Sequence, residues 1–495
     1  MINMLQKSKI YNVSSNKSSD TVTSQSWPIW MIWKRRRYVV AILTFFGFFN
    51  IYALRANLSI AIVAMTAKTE VVQENGTVAF IREFDWDSKV QGYVLSSFFY
   101  GYIVTQLVGG WMAAKFGGKH VFGIGIAVTG ALTVVSPFVA KQSVSLLIAV
   151  RILEGLFEGV TYPCVHAIWA EWAPPLERSR LAAIAFSGCY VGTVVAMPLS
   201  ALLADTLGWE SIFYVTGTSG LIWFVSWCLI ISDSPSKDRH ISQAELKYIQ
   251  SSLGQQQKGR DIKHPWKSIL TSMPVWAIVV GHFSENWGFY TLLTQLPTFM
   301  KDILQFELGA TGIMAAIPYL TISVTTQLAG HAADWLQERK IFTTTQVRKI
   351  FNCGAYMAQT VFMITAAYLL SPVGTTVCLS LAVGLGGFAW AGFGVNHLDI
   401  APQHASVLMG LSNTFATIPG IVSPIITGYI VTTPTAFEWQ TVFFISSGVY
   451  LFGCIFYGIF ASGELQPWAV DRSSRESVEI EEKKRGSENF AYTYD

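Results

Sequence analysis

The sequence predicts an all-α membrane protein with twelve transmembrane helices arranged as two six-helix pseudo-repeats. Three observations predict this fold: charged residues are scarce, apolar stretches of helix length recur along the chain, and short motifs of the first half reappear in the second. Only 13% of the 495 residues are charged and 52% are apolar. A soluble globular domain averages about 25% charged residues, so these charges cannot supply the polar surface that a water-soluble protein of this size needs.

The same composition excludes several other classes of protein. It does not fit a disordered or collagen-like chain. The net charge of +3, from 34 Lys and Arg against 31 Asp and Glu, is too small and too divided to indicate nucleic-acid binding. The 6 cysteines lie in or beside apolar stretches, which indicates buried apolar residues and not a disulfide framework or a zinc site. No signal peptide is expected, because the first 26 residues are polar and rich in serine.

A helix needs about 20 mostly apolar residues to cross the hydrocarbon core of a bilayer, and twelve stretches of the chain are of this kind. In the first half they are residues 38–66, 92–112, 121–140, 144–168, 181–204 and 212–231, and in the second half residues 275–296, 309–333, 350–370, 376–395, 406–431 and 442–461. The expected organisation is a cytosolic tail (1–37), a six-helix bundle (38–231), a cytosolic central loop (232–273), a second six-helix bundle (274–462) and a cytosolic C-terminal tail (463–495).

The orientation of the spans follows from their basic residues, because short cytosolic loops keep Lys and Arg. Four basic residues, from Lys34 to Arg37, directly precede the first span, and the central loop is also rich in Lys and Arg. The loop after the first span is mainly acidic and includes Glu70 and Asp85. We therefore expect both termini in the cytosol and this acidic loop on the other side of the membrane.

Short motifs repeat between the halves in the same order. Gly110 begins a motif at the end of the second span, and a similar motif begins at Gly330 at the end of the eighth. Trp209 and Trp439 open similar stretches before the sixth and twelfth spans, and both repeats are offset by about 220–230 residues. Such a repeat is typical of transporters whose site lies between two halves near the middle of the membrane.

Other functions of a helical bundle fit less well. A receptor or a channel does not need a repeat with a site between its halves. An enzyme needs a nucleophile with a base, or a set of metal ligands, and the sequence shows no such constellation. We therefore expect neither an enzyme nor a cofactor.

Ionisable residues inside the spans are candidates for function, because each costs at least about 2.5–3.5 kcal/mol at mid-membrane on insertion scales. Arg55 lies midway along the first span, with no carboxylate near it in that span. Its partner is either an acidic residue of another helix or a bound anion. Because a guanidinium binds carboxylate or phosphate in a bidentate manner, Arg55 is predicted to bind an anionic substrate, with a fixed ion pair as the alternative.

The fourth span carries Arg151, Glu154 and Glu158. Spacings of three and four residues place all three on one helical stripe. Two carboxylates one turn apart do not both ionise easily in a low dielectric, and this is what a proton-carrying site requires. The alternative is that Arg151 only neutralises one glutamate, which still leaves the other unpaired.

Other polar residues complete the candidate set. His282 and Glu285 lie three residues apart on the seventh span, and they either pair with each other or leave Glu285 facing the cavity. Further substrate-binding candidates are Tyr100, Asn286 and Tyr290, and the candidates for cytosolic gate contacts are Lys115, Lys119, Asp334, Asn396 and Asp399. Tyr100 belongs to an aromatic run, for which simple packing is the alternative.

Residues 110–119 resemble the loop motif of the major facilitator superfamily, although Ala114 and Gly118 stand where that motif usually has Asp and Arg. Further stretches resemble the anion/cation symporter family, solute carrier family 17, in its sialin-like branch. These stretches are residues 46–59, 97–102, 151–159, 172–179 and 396–402, and the resemblance extends from about residue 37 to 468.

The resemblance implies the major facilitator fold and proton-coupled symport of organic anions such as sialic acid, other acidic sugars or carboxylates. It also implies that Arg55 contacts the substrate carboxylate and that Glu154 and Glu158, beside Arg151, couple transport to protons. The glutamate-transporting members differ, with Arg where this chain has Glu285 and His where it has Leu95. Insect-type members with a similar Ser-Glu-Asn-Trp stretch are described as inorganic phosphate cotransporters, so sodium-dependent phosphate transport is the main alternative; vesicular transport of acidic amino acids and a non-transporting receptor are lesser ones.

The expected partners are therefore a small anionic solute, H⁺ as the driving ion with Na⁺ as the alternative, and the lipid bilayer. The protein is expected to work as a monomer in a lysosomal, vesicular or plasma membrane.

The orientation can be tested at Asn75. Asn75-Gly76-Thr77 is a glycosylation acceptor in the acidic loop, which we expect to face away from the cytosol. Removal of N-glycans should therefore increase the electrophoretic mobility of the wild-type protein and leave that of Asn75→Gln unchanged. Glycans on Asn12 or Asn16 instead would place the N-terminal tail on the wrong side and contradict the predicted topology.

Overall fold

The computed structural model describes residues 34–72, 78–174, 177–253, 264–369 and 371–469. The glycosylation candidate Asn75 lies outside the described residues. The helices of the first half are α1 (Arg36–Met65), α2 (Ser88–Phe116), α3 (Gly118–Gln142), α4 (Val144–Glu158), α5 (Thr161–Trp172), α6 (Arg178–Leu207) and α7 (Glu210–Ile230). The central segment carries α8 (Gln243–Leu253) and α9 (Trp266–Thr271). The second half consists of α10 (Met273–Asp302), α11 (Leu308–Glu338), α12 (Thr344–Leu369), α13 (Pro372–Gly384), α14 (Gly386–Ala389), α15 (Val395–Ile400), α16 (Ala405–Ile430) and α17 (Ala436–Phe460).

Within the described residues, nine helical segments are long and apolar enough to cross a membrane. They correspond to the first, third, fifth, sixth and eighth to twelfth predicted spans. The remaining three predicted spans are α2, the α4–α5 pair and α10, which are helical over comparable lengths but do not meet that criterion. The count of twelve membrane spans therefore stays a prediction for these three elements.

Two of the predicted spans are broken helices. The fourth is interrupted at Gly159 and Val160, between α4 and α5. Pro163 lies just after this break, and proline has no N–H and its ring clashes with the carbonyl group four residues earlier, which here belongs to Gly159. The tenth predicted span is divided among α13, α14, a π-helical turn (Trp390–Gly394) and α15. Such breaks are tolerated where neighbouring helices satisfy the freed backbone groups.

A short β-hairpin departs from the all-α expectation. Strands β1 (Lys68–Val72) and β2 (Val78–Arg82) pair antiparallel, with Lys68 opposite Arg82 and Val72 opposite Val78. Their sequences, KTEVV and VAFIR, contain the β-branched residues that favour strands. The segment was predicted only as a loop, because ten residues are too few to stand out between long apolar spans.

Aromatic residues form much of the interior of the first half. The ring of Phe122 lies 5.5 Å from that of Trp223 and 5.4 Å from that of Trp227. The indole N–H of Trp223 donates to the carbonyl oxygen of Leu43 at 2.9 Å, and that of Trp227 donates to Lys119 at 3.0 Å. Buried tryptophans need such partners, and these two bonds join α7 to α1 and α3.

The two halves meet closely at the end of the bundle that carries the hairpin. We call this end the opposite face, because it lies opposite the start of α1 and the end of α17. A Cβ atom on Gly92 of α2 would lie 2.6 Å from the carbonyl oxygen of Pro424 on α16. A Cβ atom on Gly312 of α11 would lie 2.8 Å from the carbonyl oxygen of Met197 on α6. Because these backbones touch across the halves, the described helices leave the bundle closed at the opposite face.

The other end of the bundle, the terminal face, carries the start of α1, the central segment and the end of α17. Here Arg37 pairs with Glu177 and with Glu245, each at 2.8 Å. The Glu245 carboxylate also accepts the backbone N–H of Arg36 at 2.9 Å, which places an acid at the positive N-terminus of α1. Partial burial opposes ionisation of Glu177, but the hydrogen bond and charge of Arg37 outweigh it and lower its pKa. The central segment is thus bound to the first half through charge-assisted hydrogen bonds.

This attachment should depend on Arg37. Hydrogen bonds to charged groups contribute about 1.5–3 kcal/mol each, and Arg37→Gln removes the charge from both carboxylate contacts. We expect amide hydrogen exchange in α8 to become at least about tenfold faster, as measured by mass spectrometry of the purified protein. Lys247→Gln, at an exposed position of the same helix, serves as the control. Unchanged exchange in Arg37→Gln would show that the pairs do not hold α8.

Candidate functional site

A small cavity lies between the two halves, below the closed opposite face. Its lining residues are Arg55, Leu58, Ser59, Leu95, Phe98, Phe99, Arg151, Leu293 and Thr294. Helices α1, α2 and α4 of the first half supply most of this wall, and α10 of the second half supplies the rest. The wall is mainly apolar, with two hydroxyl groups and two arginine side chains.

Arg55 forms an ion pair with Glu158 across helices α1 and α4. Its Nε lies 3.1 Å from Glu158 Oε1, and its Nη2 also donates to that oxygen. The guanidinium lies 4.8 Å from the ring centres of both Tyr52 and Tyr102, where cation–π attraction adds to its stabilisation. Among the described residues, Arg55 Nη1 and Glu158 Oε2 have no hydrogen-bond partner, although both are buried.

Arg151 and Glu154 form a second pair, within α4. Arg151 Nη1 lies 2.6 Å from Glu154 Oε2, and Thr133 on α3 donates to Glu154 Oε1 at 2.8 Å. Arg151 Nε is buried without a partner among the described residues. The ring of Phe98 lies 5.0 Å from the Arg55 guanidinium and 5.3 Å from that of Arg151, so one aromatic side chain separates the two cations.

These two pairs answer the question that the sequence left open about Arg55. In the sequence, Arg151 has two candidate glutamates on its own helix and Arg55 has none, whereas in the structure each glutamate has its own arginine. The close approach of α4 to α2 makes this possible, because Gly155 lies against the backbone carbonyl of Phe98. The fixed ion pair that was the alternative for Arg55 is therefore present, and Nη1 of the same guanidinium has no hydrogen-bond partner among the described residues.

The other substrate-binding candidates lie at different distances from the cavity. Tyr290 is buried, with its ring 4.7 Å from that of Phe99, which lines the cavity. Asn286 donates to the carbonyl oxygen of Ala416 at 2.9 Å, and Tyr100 is half-buried. Neither Asn286 nor Tyr100 is among the described residues that line the cavity.

Sequence reasoning missed the polar wall residues Ser59 and Thr294. Hydroxyl residues are frequent in these helices and usually bond to their own backbone, as Ser59 and Thr294 also do. Nothing in the local sequence therefore distinguishes the two that face the cavity.

His282 and Glu285 do not pair with each other in the described structure. His282 Nδ1 lies 3.1 Å from the hydroxyl of Ser412, and His397 Nε2 lies 3.1 Å from the same hydroxyl. Glu285 is directed instead toward Gly386 of α14. The described residues therefore show no His282–Glu285 pair, and Glu285 is also not among the described residues that line the cavity.

The gate candidates are dispersed over the terminal face. Asp399 receives two hydrogen bonds from Arg348, at 2.7 and 3.2 Å, and Asn396 donates to the hydroxyl of Tyr457 at 2.9 Å. The partners of these two residues, Arg348 and Tyr457, both belong to the second half.

Lys115 and Asp334 are exposed, and the Lys115 ammonium lies 5.5 Å from the ring of Phe116. Lys119 is half-buried and accepts the Trp227 indole N–H through its backbone oxygen. None of the described ion pairs joins Lys119 or Asp334 to the other half.

A helical bundle in two halves, with a cavity between them that two arginines line, is typical of membrane transporters. The family model for the Major Facilitator Superfamily matches residues 40–424. Sialin of Homo sapiens is 45% identical to the chain over 451 residues, which cover 88% of this chain and 91% of sialin. Vesicular glutamate transporter 1 of Xenopus tropicalis is 44% identical over 438 residues, covering 88% of this chain and 76% of that protein.

The crystal structure of a D-xylose–proton symporter resembles the fold, with a TM-score of 0.66 at 14% sequence identity, covering 86% of this chain and 99% of the symporter. The chain belongs to the major facilitator superfamily, and within it to solute carrier family 17, which contains sialin and the vesicular glutamate transporters. It is an integral, multi-pass membrane transporter of a small solute.

The Arg55–Glu158 pair should show strong energetic coupling. Removing one partner of a buried ion pair costs about 3–5 kcal/mol, because the other charge is left uncompensated. We expect Arg55→Met and Glu158→Gln each to lower the free energy of unfolding in a bilayer mimetic by about this amount, and the double variant to lower it by less than the sum. Arg55→Met combined with Glu171→Gln, at an exposed position of α5, should be additive. Additivity in the first cycle would show that the pair contributes no coupling.

Proposed function

We propose that the protein is a proton-coupled symporter of small organic anions, of the sialic acid, acidic sugar or carboxylate type. The observation that carries this proposal is the pair of arginines in the cavity between the halves. Arg55 and Arg151 each bond to a glutamate and each keep a buried nitrogen without a partner among the described residues. An anionic group that enters the cavity can accept hydrogen bonds from these nitrogens.

Charge balance explains why an anion would travel with a proton. The two arginines and two glutamates form a neutral set inside a low-dielectric enclosure. An added anion makes the set negative, and uncompensated charge in such an environment is costly. Protonation of one glutamate restores neutrality. Anion and proton therefore stabilise each other in the closed cavity.

Glu158 is the residue that we propose to take this proton. It is the partner of Arg55, and its Oε2 is buried without a partner among the described residues. A neutral Glu158 holds the guanidinium less tightly, so more of Arg55 becomes available to the substrate. Glu154 accepts hydrogen bonds from both Arg151 and Thr133. We propose that Glu154 and Arg151 transmit the change in the protonation of Glu158 along α4.

The apolar wall favours a substrate that has a carboxylate and a larger body. Leu58, Leu95 and Leu293 lie beside the arginines. The related proteins include vesicular glutamate transporters, but Leu95 offers no hydrogen bond to a second polar group of an amino acid. We therefore favour a monocarboxylate over glutamate.

Two arginines in one cavity also fit inorganic phosphate, whose oxygens pair well with guanidinium groups. Sodium-dependent phosphate transport is therefore the second candidate function. For the organic-anion function we propose an acidic organelle membrane or the plasma membrane, with both termini cytosolic. In either membrane, a higher proton concentration on the side of the opposite face than in the cytosol would drive the symport toward the cytosol.

The decisive test is uptake into proteoliposomes, with sialic acid, aspartate, glutamate, urate and phosphate compared with and without sodium and with and without a pH gradient. We expect a carboxylate to be taken up under a pH gradient without sodium. Glu158→Gln should lose the response to the pH gradient and Arg55→Lys should lose bidentate binding, each reducing gradient-driven uptake by at least about tenfold.

Glu171→Gln is the matched control, because it makes the same chemical change at an exposed site of the adjoining helix. Uptake that requires sodium and ignores the pH gradient would replace this proposal by phosphate transport. Full gradient-driven uptake by Glu158→Gln would remove the proton assignment.

A further inference from the structure

The second half contains a buried carboxylate that the proposed mechanism does not use. Glu285 of α10 is only 2% exposed, and its Oε2 has no hydrogen-bond partner among the described residues. No Lys, Arg or His forms an ion pair with it in the part of the chain that the structure describes. The nearest basic residue of its own helix, His282, is bonded to Ser412. Glu285 therefore has no cation to stabilise a negative charge.

The surroundings of Glu285 form a built polar pocket. On α14, Gly386 has no side chain, and a Cβ atom there would collide with both Glu285 Oε1 and Gln359 Nε2. On α10, Gly288 lies one turn beyond Glu285, and a Cβ atom there would collide with the hydroxyl of Tyr450. Gln359 Nε2 donates to that hydroxyl at 3.3 Å. Two glycines thus make the space in which a carboxyl, an amide and a phenol meet.

The donors and acceptors of this pocket suit a carboxylic acid. Gln359 is fully buried, and its Oε1 has no partner among the described residues. A carboxylate can only accept hydrogen bonds, whereas a protonated carboxyl has an O–H to donate. A proton on Glu285 therefore gives Gln359 Oε1 a donor, and it also removes an unpaired buried charge.

Among the described residues, the titratable groups near Glu285 are phenols. Tyr356 of α12 and Tyr450 of α17 lie on the side of the second half, and Tyr190 of α6 approaches from the first half. None of them supplies positive charge. Because Tyr190 belongs to the other half, the surroundings of Glu285 must change when the halves move relative to each other.

We propose that Glu285 is a second proton-binding site, in the C-terminal half, and that the transporter therefore moves two protons with each monovalent anion. This inference rests on the proposed function for the transport step, but proton binding itself does not depend on it. The proton binds to the Glu285 carboxylate, bridges toward Gln359, and leaves to water once the halves have rocked. The first proton, at Glu158, balances the added anion, and the second neutralises Glu285, so each transport cycle carries one net positive charge across the membrane.

Proton binding can be measured without any substrate. The probe is the infrared absorption of protonated carboxyl groups in the full-length protein, recorded as a difference spectrum between acidic and alkaline buffer in H₂O and in D₂O. We expect a carboxyl band that is present in the wild type and in Glu171→Gln and absent from Glu285→Gln. A Glu285→Gln spectrum identical to that of the wild type would overturn the proposal. Because Gln retains the size of the side chain, folding is checked by thermal denaturation of the same samples.

Voltage dependence measures the number of protons that move. Each cycle carries one net positive charge, so an inside-negative potential of about 60 mV should increase the accumulation of sialic acid driven by a pH gradient about tenfold. Uptake by Glu285→Gln should be electroneutral and show no such increase. If the wild type shows pH-driven uptake that ignores voltage, this inference fails while the proposed function stands. If no anion responds to a pH gradient, the proposed function fails, and the infrared result alone decides whether Glu285 binds a proton. An infrared change that depends on Na⁺ would show that Glu285 binds sodium instead.

Discussion

The ion pair between Arg55 and Glu158 joins α1 to α4 in the interior of the first half. Both side chains are almost fully buried, so each charge depends on the other for compensation. The close approach of α4 to α2, the aromatic cage around the guanidinium and the shape of the cavity are all arranged around this pair. A ligand that competes for Arg55 therefore affects the packing of three helices at once.

The second pair, between Arg151 and Glu154, makes the site more than a single buried salt bridge. The four charged groups sum to zero, and Phe98 separates the two guanidiniums so that they share one cavity without direct contact. The charges of this set compensate each other inside the bundle. The closed opposite face adds a barrier above the cavity, and rocking of the halves would open it.

Much of the fold could be read from the sequence, because twenty apolar residues in a row have few other interpretations. The repeat and the charged stripe on the fourth span came from local patterns, and the orientation, which rests on the Lys and Arg of the loops, stays a prediction. The hairpin β1–β2 and the break at Gly159 were not predicted: the hairpin is short, and the break depends on how Pro163 is accommodated by neighbouring helices. The sequence also contains no local signal that places Ser59 and Thr294 in the cavity wall, since each resembles many other hydroxyl residues.

By itself, the sequence determined which residues carry charge into the membrane, because the cost of burying an ion makes each one stand out from an apolar background. It also determined that Arg151, Glu154 and Glu158 share one helical face, because helical spacing is a local property. Only the tertiary structure decided which charge neutralises which. Arg55 and Glu158 lie 103 residues apart along the chain, and helix packing alone brings them together. For the same reason, only the structure separated His282 from Glu285 and left that carboxyl without a cation among the described residues.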